Sequence, residues 1–417
     1  MSPGRSPSKE RAAKNNARSE PLAADLFCGA GGLSIGFKEA GFKIAFANDI
    51  DEQCRDTYLL EHPSTCWLDG SIEDLTAKGV LKTTGLEKGE IDVLIGGPPC
   101  QGFSINAPRR NIGDARNHLF KHYARLVLEG LKPKVVLMEN VPGMLSLDQG
   151  RTVRAIYSMF GEAGYHMKHM ILCAAHYGVP QERWRLFFIG TRLPDAEITF
   201  PYPTHWAPVR ANFTGGRELT WLRHLPRPGE SARLFGNDEL QKHTSVREAI
   251  GDLPPLATTQ GQEESPYNGP PSSAYQRSLR ANQKQLFNHV AGFLSPQNLA
   301  RLKHIPPGGS WRDVPFALLP KGMKSARTSD HTRRYGRLNP DGLSGTVLTK
   351  CDPHWGTFFH YEQDRALTVR EAARIQSFPD RIRFTGGKVA QFAQVGNAVP
   401  PILARVLAKH ISEHLLS

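Results

Sequence analysis

The chain has 417 residues, 39% of them hydrophobic, with 52 Lys and Arg against 40 Asp and Glu, which gives a formal net charge of +12. This length allows two or three domains with full cores, and the basic surplus favours a polyanionic partner such as nucleic acid over ordinary surface charge. Because the sequence has neither an apolar run of 18 residues nor an apolar N-terminal segment, we expect no membrane span and no secretory signal.

The first part of the chain alternates between two kinds of segment after a polar start. Residues 1–20 carry five basic side chains and almost no apolar ones, which predicts a disordered basic tail. Helical patterns begin near residue 33 and cover 119–131. Apolar runs typical of buried strands cover 22–27, 43–47, 91–95, 135–138 and 186–189. The alternation predicts a doubly wound, mainly parallel α/β sheet, in which ligands lie at the carboxyl ends of the strands.

The character of the sequence changes near residue 191, where Pro, Gly, Arg, His and Trp become frequent. Helical patterns return at 367–377 and at 401–416. We therefore predict a second, smaller domain over 191–360, inserted between a main domain at 21–190 and its return at 361–417. Within the insert, the polar stretch 252–287 is rich in Pro, Ser and Gln and predicts a long loop.

A glycine-rich turn follows the first predicted strand. Gly29, Gly31 and Gly32 let the backbone turn tightly and approach a ligand, and Asp49, after the second strand, suits ribose hydroxyls. This pattern fits NAD, FAD or S-adenosylmethionine, and a plain glycine turn remains an alternative. Asp25, directly before the turn, suits a cationic amino group better than a pyrophosphate and so argues against NAD.

A candidate nucleophile follows the strand predicted at 91–95. Lone cysteines are usually small buried hydrophobes, and no two of the six cysteines form a CxxC pair, so we expect no metal site. Cys100 differs because the preceding Gly-Gly-Pro-Pro turn presents it to the cleft, where a thiolate is a soft nucleophile suited to conjugate addition. Glu139, at the next strand end, can supply a proton if burial raises its pKa, with a salt-bridging role as the alternative.

Six segments resemble the cytosine-5 DNA methyltransferase family, and they occur in the family's order. They are DLFCGAGG at 25–32, GGPPCQGFS at 96–104, ENV at 139–141, QERWR at 181–185, REAARIQSFPD at 370–380 and QVGNAVPP at 394–401. The resemblance covers nearly everything after residue 21. It implies a Rossmann-like, S-adenosylmethionine-dependent methyltransferase fold with a smaller target-recognition domain.

The resemblance also implies a role for each catalytic residue. Cys100 would attack C6 of cytosine, which makes C5 a carbon nucleophile, while Glu139 contacts N3 and the exocyclic amine. Arg185 would hold the O2 oxygen. Arg183 and Gln181 would support the loop and the flipped base.

Cofactor positions follow from the same resemblance. Phe27 would stack on adenine, and Asp49 would bind the ribose. Two positions depart from the family's pattern: Ser71 stands where an Asp often contacts the adenine amine, so that Asp69 or Ser71 would have to substitute, and Ile50 stands where an aromatic is common. The remaining pocket positions are Pro98, Leu119, Asn397 and Val399.

The resemblance implies double-stranded DNA as the partner, with the target base flipped out of the helix. We expect a monomeric, prokaryotic enzyme of the restriction–modification type, cytoplasmic and associated with the nucleoid. Phosphate contacts are expected from Arg109, Arg110 and Arg116. Candidate base readers are Arg210, Arg217, Arg223, Arg227, Lys324, Arg333 and Arg334.

Three alternative functions remain open from the sequence. A tRNA methyltransferase of the same family shares every motif, and only the large basic insert favours DNA. A catalytically inactive DNA-binding regulator is disfavoured by the intact Cys100, Glu139 and Arg185. A nicotinamide oxidoreductase leaves the segments at 96–104 and 181–185 unexplained.

Overall fold

A computed structural model describes residues 20–99, 119–211, 213, 216, 219–229, 239–330 and 333–417. Outside these ranges lie Cys100, the predicted phosphate-binding residues Arg109, Arg110 and Arg116, the predicted base reader Arg217 and the tail up to residue 19; the Arg223 side chain is also not described. Within the described ranges, every helix is too short or too polar to cross a lipid bilayer.

A seven-stranded sheet forms the centre of the fold. Its strands are β1 Leu22–Leu26, β2 Lys43–Asn48, β3 Cys66–Leu68, β4 Val93–Gly96, β5 Val135–Asn140, β6 His166–Cys173 and β7 Trp184–Thr191. The order across the sheet is β3-β2-β1-β4-β5-β7-β6. Neighbouring strands run parallel except at β7, which is antiparallel to both β5 and β6. The predicted, mainly parallel α/β sheet is confirmed.

Helices cover both faces of this sheet. They are α1 Gly32–Glu39, α2 Glu52–Glu61, α3 Ala77–Thr84, α4 Leu119–Leu126 (continued by a wider turn at Val127–Leu131) and α5 Arg151–Glu162. Side chains alternate along each strand. Ala24 and Leu94 therefore pack against α3, α4 and α5 on one face, while Ala23 and Val93 pack on the other against α1 and the C-terminal helix described below.

The second half of the described chain contains further strands and helices. The strands are β8 His205–Trp206, β9 Gln241–Lys242, β10 Gly261–Pro266, β11 Gln285–Val290, β12 Gly336–Arg337 and β13 Thr357–Phe359. The helices are α6 Val246–Ile250, α7 Ala274–Arg280, α8 Pro296–Leu302, α9 Val369–Ile375, α10 Lys388–Asn397 and α11 Pro401–Leu415. The helical patterns predicted at 367–377 and 401–416 correspond to α9 and α11.

The prediction of a long loop at 252–287 was wrong. Residues Gly261–Pro266 and Gln285–Val290 form an antiparallel pair, and α7 lies between them with a capping box made by Ser273 and Gln276. β10 is exposed along almost its whole length, so it has no apolar alternation from which a strand could be predicted. Its pairing with the half-buried β11 holds it in place.

A buried ion-pair network joins the predicted insert to α9. The Arg374 guanidinium on α9 bonds the Asp380 carboxylate, with Nη2 2.6 Å from Oδ2, and also bonds Asp252. Nearby, Arg370 donates through Nε to the Phe287 carbonyl at 2.9 Å. Apolar side chains of α6, β11, α9 and α10 share one core around this network. The domain boundary at 360 stays a prediction.

Candidate active site

The chain leaves β1 through a left-handed turn. Phe27 has φ 58°, and Gly29 and Gly31 have φ 52° and 82°. A Cβ on Gly29 would meet nothing within 4 Å, whereas one on Gly31 would lie 3.0 Å from the Tyr58 ring. A positive φ at a phenylalanine is strained, and such strain is concentrated at ligand-binding sites. The turn therefore leaves open space beside Gly29, and the half-buried Phe27 side chain packs against the core on one face of the sheet.

Asp25 is fully buried at the end of β1. Its Oδ2 accepts a hydrogen bond of 2.6 Å from the Ser34 hydroxyl, which lies 2.7 Å from the Tyr58 hydroxyl. Its Oδ1 is buried without a hydrogen-bond partner among the described residues. Burial, together with the nearby Asp49 carboxylate, raises the pKa of Asp25 to about 7, against the lowering effect of the Ser34 bond. A buried carboxylate with one free oxygen is suited to a cationic ligand.

Asp49 directly follows β2 and connects two loops. Its Oδ2 accepts the Gly29 N–H at 2.8 Å, and its Oδ1 accepts the Asp51 N–H at 3.0 Å. Burial raises the pKa of Asp49, although both N–H groups act in the opposite direction. A carboxylate has about four acceptor positions, so Asp49 can accept a further hydrogen bond. Asp49 is therefore in direct contact with the glycine-rich turn.

The two positions that depart from the family's pattern differ in exposure. Ile50, next to Asp49, is 73% exposed. Ser71 is half-buried in the loop after β3, where its hydroxyl accepts the Glu73 N–H at 3.3 Å. Asp69, by contrast, is exposed and forms an ion pair with Arg55 at 3.2 Å. The sheet order places this loop beside the one that carries Asp49.

The C-terminal segment meets the glycine-rich turn from the other side. A Cβ on Gly32 would collide with the carbonyl oxygen of Val399, which is buried at the start of the last helix. Asn397, two residues earlier, is exposed. Leu119 begins α4 and packs against the core on one sheet face. Among these predicted cofactor positions, Val399 is therefore in direct contact with the turn.

The Gly-Gly-Pro-Pro segment lies against the end of β5. The Asn140 side chain donates through Nδ2 to the Pro98 carbonyl at 3.2 Å. A Cβ on Gly97 would lie 3.2 Å from Glu139 Oε2, so glycine keeps the space beside this carboxylate free. Together these contacts place the residues directly before Cys100 next to Glu139.

Glu139 forms an ion pair with Arg185, whose Nε lies 2.8 Å from Glu139 Oε1. The two side chains are 13% and 15% exposed. Burial raises the pKa of Glu139, and the positive charges of Arg185 and Arg183 limit this rise. A carboxyl group with a raised pKa beside a cation has the features required of a proton donor to a polar ring.

Gln181 and Arg183 are buried deeper than the sequence indicated. The Arg183 guanidinium donates to the carbonyls of Gly396, at 2.9 Å, and of Val347, at 3.4 Å. Gln181 accepts the Val347 N–H at 3.0 Å and donates to the Gln376 side chain. Both residues therefore hold together segments that are distant in sequence, and their predicted role toward the flipped base stays a prediction.

Three further residues contribute to the site but had no predicted role. Gln376 joins Gln181 to the carbonyls of Val395 and Ala398, at 3.1 and 2.7 Å. Ser34 and Asn140 hold Asp25 and Pro98, respectively. Both Gln376 and Asn140 lie inside segments that resemble the family, and this was the only sequence signal for them.

Comparisons with known proteins identify the family of the chain. The sequence model of the C-5 cytosine-specific DNA methylase family matches residues 23–413. The Type II methyltransferase M.AgeI of Thalassovita gelatinovora is 35% identical over 93% of this chain and 98% of its own length. M1.HphI of Haemophilus parahaemolyticus, also a Type II methyltransferase, is 36% identical over 93% of this chain and 85% of its own length.

Solved structures show the same architecture. A DNA modification methyltransferase encoded within an E. coli prophage superposes with a TM-score of 0.70 at 25% identity, covering 95% of this chain and all of its own. A DNMT2 mutant of Spodoptera frugiperda shares the fold with a TM-score of 0.54 at 17% identity, over 95% of this chain and all of its own. With a family match over nearly the whole sequence, the chain belongs to the C-5 cytosine-specific DNA methylases and is a DNA cytosine-5 methyltransferase.

Proposed function

We propose that the chain binds S-adenosylmethionine, the cofactor general to this family, at the carboxyl ends of β1, β2 and β3. The unpartnered, buried Oδ1 of Asp25 suits the ammonium group of the methionine moiety. The remaining acceptor capacity of Asp49 suits the ribose hydroxyls, and the Phe27 ring suits the adenine face. When bound, the cofactor supplies an electrophilic methyl group.

The reaction proposed is methylation of C5 in a cytosine flipped out of duplex DNA. The Cys100 thiolate forms a bond to C6, and Glu139 delivers a proton to N3, so that the electron pair of the C5–C6 bond becomes available at C5. With the cofactor bound, C5 would take its methyl group while the methyl–sulfur bond breaks and the sulfonium is released as a neutral thioether. The C5 proton would then leave to water. The C6–S bond then breaks, which restores the ring and returns the thiolate, while N3 returns its proton to Glu139.

The observation that carries this proposal is the Glu139–Arg185 pair beside Gly97. A protonated carboxyl group and a guanidinium together match the N3, amine and O2 edge of cytosine, and neither group alone distinguishes that edge from other polar rings. Cys100 is three residues from Gly97 in sequence, and Pro98 is held by Asn140. The roles of Gln181 and Arg183 in this proposal are structural support.

Double-stranded DNA is the proposed substrate, with 191–360 as the target-recognition domain. The basic surplus of the chain supports this choice, since phosphate neutralisation contributes much of the affinity of proteins for DNA. Because two similar proteins are named Type II methyltransferases, we also propose a restriction–modification role, as a monomer in the prokaryotic cytoplasm at the nucleoid.

The experiment that tests this function is methyl transfer from labelled cofactor to duplex DNA and to tRNA in parallel, followed by bisulfite sequencing of the methylated DNA. We expect label in DNA at cytosines that share one sequence context. Label in tRNA alone, or methylation of adenine, would overturn the proposal. The sequencing also identifies the recognised sequence, which is needed for the experiments below.

A further inference from the structure

The proposed recognition domain has an exposed tryptophan on its surface. Trp355 is 55% exposed, and the Arg334 guanidinium carbon lies 4.8 Å from its ring centroid. The His354 ring lies nearly perpendicular to the Trp355 ring, with 4.9 Å between the two centroids. An exposed tryptophan with a cation over its face has most of its apolar surface available to a partner, while its orientation is restricted.

The arginine beside this ring is held in place. Arg334 donates through Nη1 to the Met323 sulfur at 3.8 Å, and its carbonyl accepts the Trp311 N–H at 3.1 Å. Arg334 and Trp355 each precede one strand of the parallel pair β12–β13 by two residues. Both residues therefore lie at the same edge of this pair, where the Arg334 side chain contacts the Trp355 ring.

This edge is continuous with the active site. Arg333 forms an ion pair with Glu182 at 2.5 Å, and the Thr346 hydroxyl donates to the Glu182 carbonyl at 2.8 Å. Glu182 lies between Gln181 and Arg183, which support the catalytic Arg185. The edge is thus joined through Glu182 to the segment that carries Arg185, beside which the proposed target cytosine lies.

The segment around Trp355 has a surplus of positive charge, which suits a surface that contacts DNA. Residues 321–355 contain seven Lys and Arg and three Asp. A second exposed ring, Phe316, has the Lys324 ammonium 5.1 Å from its centroid. Exposed rings interleaved with cations are typical of surfaces that contact nucleic acid bases and backbone together.

We propose that Trp355, held by Arg334, contacts the bases that flank the target cytosine and contributes to the choice of methylated sequence. The proposal rests on the proposed function, in which duplex DNA is the substrate. An indole can pack against thymine methyl groups or stack between base steps, and these contacts depend on the sequence. Arg334 both orients the ring and supplies positive charge toward the phosphates.

The test compares Trp355→Ala, Trp355→Phe and Arg334→Gln with the unaltered enzyme. For each protein, the rate of methyl transfer is measured on the preferred duplex and on duplexes altered at the flanking bases. Phe293→Ala is the matched control, because Phe293 is 75% exposed and has no cation over its ring in the described part of the chain. Cofactor affinity and thermal unfolding show whether each variant is folded.

We expect Trp355→Ala to methylate the preferred duplex at least about tenfold more slowly than the unaltered enzyme does. Its rates on the altered duplexes should change little, so that discrimination between the duplexes falls. Trp355→Phe should retain part of the discrimination, and Arg334→Gln should lose part of it. Phe293→Ala should behave as the unaltered enzyme does. An equal loss on every duplex would assign Trp355 to general DNA affinity and overturn its role in sequence choice.

The two proposals fail in different ways. If the unaltered enzyme methylates no DNA, the proposed function fails, and this inference fails with it. If it methylates DNA with a clear preference and Trp355→Ala shows the same rates and preference, the inference alone is overturned. If Trp355→Ala does not fold, Trp355→Phe and Arg334→Gln decide: unchanged discrimination in both overturns the inference.

Discussion

Arg185 Nε lies 2.8 Å from Glu139 Oε1 because of the register between two antiparallel strands. Glu139 is paired with Phe187, so Arg185, two residues earlier on β7, is its diagonal neighbour on the same face of the sheet. Both residues of this ion pair therefore lie on strands of the sheet and not in a loop. The geometry of the pair is the basis of the first prediction.

Replacing Glu139 with Gln should lower the rate of methyl transfer by about 10²–10⁴-fold, because an amide can donate a hydrogen bond to N3 but not a proton. Burial raises the pKa of Glu139, so the protonated form persists to higher pH than for an ordinary glutamate. The rate of the unaltered enzyme should therefore decline as pH rises through that pKa. Profiles of kcat/KM against pH check both expectations.

The Arg185→Gln variant removes the other partner of the ion pair and so tests whether Glu139 causes the decline of the rate at high pH. Because the positive charge of Arg185 lowers the pKa of Glu139, its removal should shift the alkaline decline to higher pH while the overall rate falls. An Arg185→Gln profile with an unshifted decline would contradict the assignment of that decline to Glu139. Retention of most of the activity by Glu139→Gln would contradict its role as a proton donor.

Cofactor affinity should depend on pH through Asp25. In the cofactor-free protein the pKa of Asp25 is raised to about 7, so the carboxyl group is largely protonated below that pH. A bound ammonium group favours the ionised form, so binding below pH 7 should release a proton. Affinity should therefore increase with pH up to about 7 and then level off. Calorimetric titration with S-adenosylmethionine in two buffers of different ionisation enthalpy measures this.

Asp25→Asn is the control for the preceding prediction. It should bind the cofactor more weakly and without the pH-dependent increase. Because the pKa of Asp25 is raised above its ordinary value of 3.8, this group reduces stability as pH rises from about 4 to about 7. Over that range the unaltered cofactor-free protein should therefore lose stability relative to Asp25→Asn. An unchanged increase of affinity with pH in Asp25→Asn would refute the role of Asp25.

Gly36→Ala should destabilise the fold by about 1–3 kcal/mol, because its Cβ would collide with Ala404 and the Arg405 backbone where α1 packs on α11. Gly161→Ala is the matched control: it is also a helical glycine, it is exposed on α5, and its Cβ would meet nothing within 4 Å. That change should be neutral or stabilising by up to about 1 kcal/mol. Urea unfolding compares the two, and equal stabilities would contradict the close helix packing.

Asp252→Ala should cost about 3 kcal/mol or more, because it leaves the fully buried Arg374 with one carboxylate partner fewer. Asp341→Ala is the control, since its pair with Arg247 is exposed and should contribute about 0–1 kcal/mol. Thermal unfolding of both variants measures the difference. Equal losses of stability in the two variants would indicate that the bond between Asp252 and Arg374 stabilises the fold no more than an exposed ion pair does.

Sequence patterns predicted the central strands well because buried parallel strands such as β1, β4 and β5 are continuous apolar runs. They failed at β10, whose exposed polar residues take their conformation from pairing with β11. The partners of Arg183 could not be predicted either. The carbonyls of Val347 and Gly396 lie 164 and 213 residues away in sequence, and no local pattern records such a contact.

The central claim is covalent methylation of cytosine through Cys100, and a duplex with 5-fluorocytosine at the target position tests it most directly. Fluorine at C5 blocks the loss of the proton that completes the reaction, so the enzyme and its cofactor should give a protein–DNA adduct that survives a denaturing gel. Cys100→Ser should bind the cofactor but form no such adduct. An active enzyme that yields no adduct, or an adduct that persists in Cys100→Ser, would contradict the account.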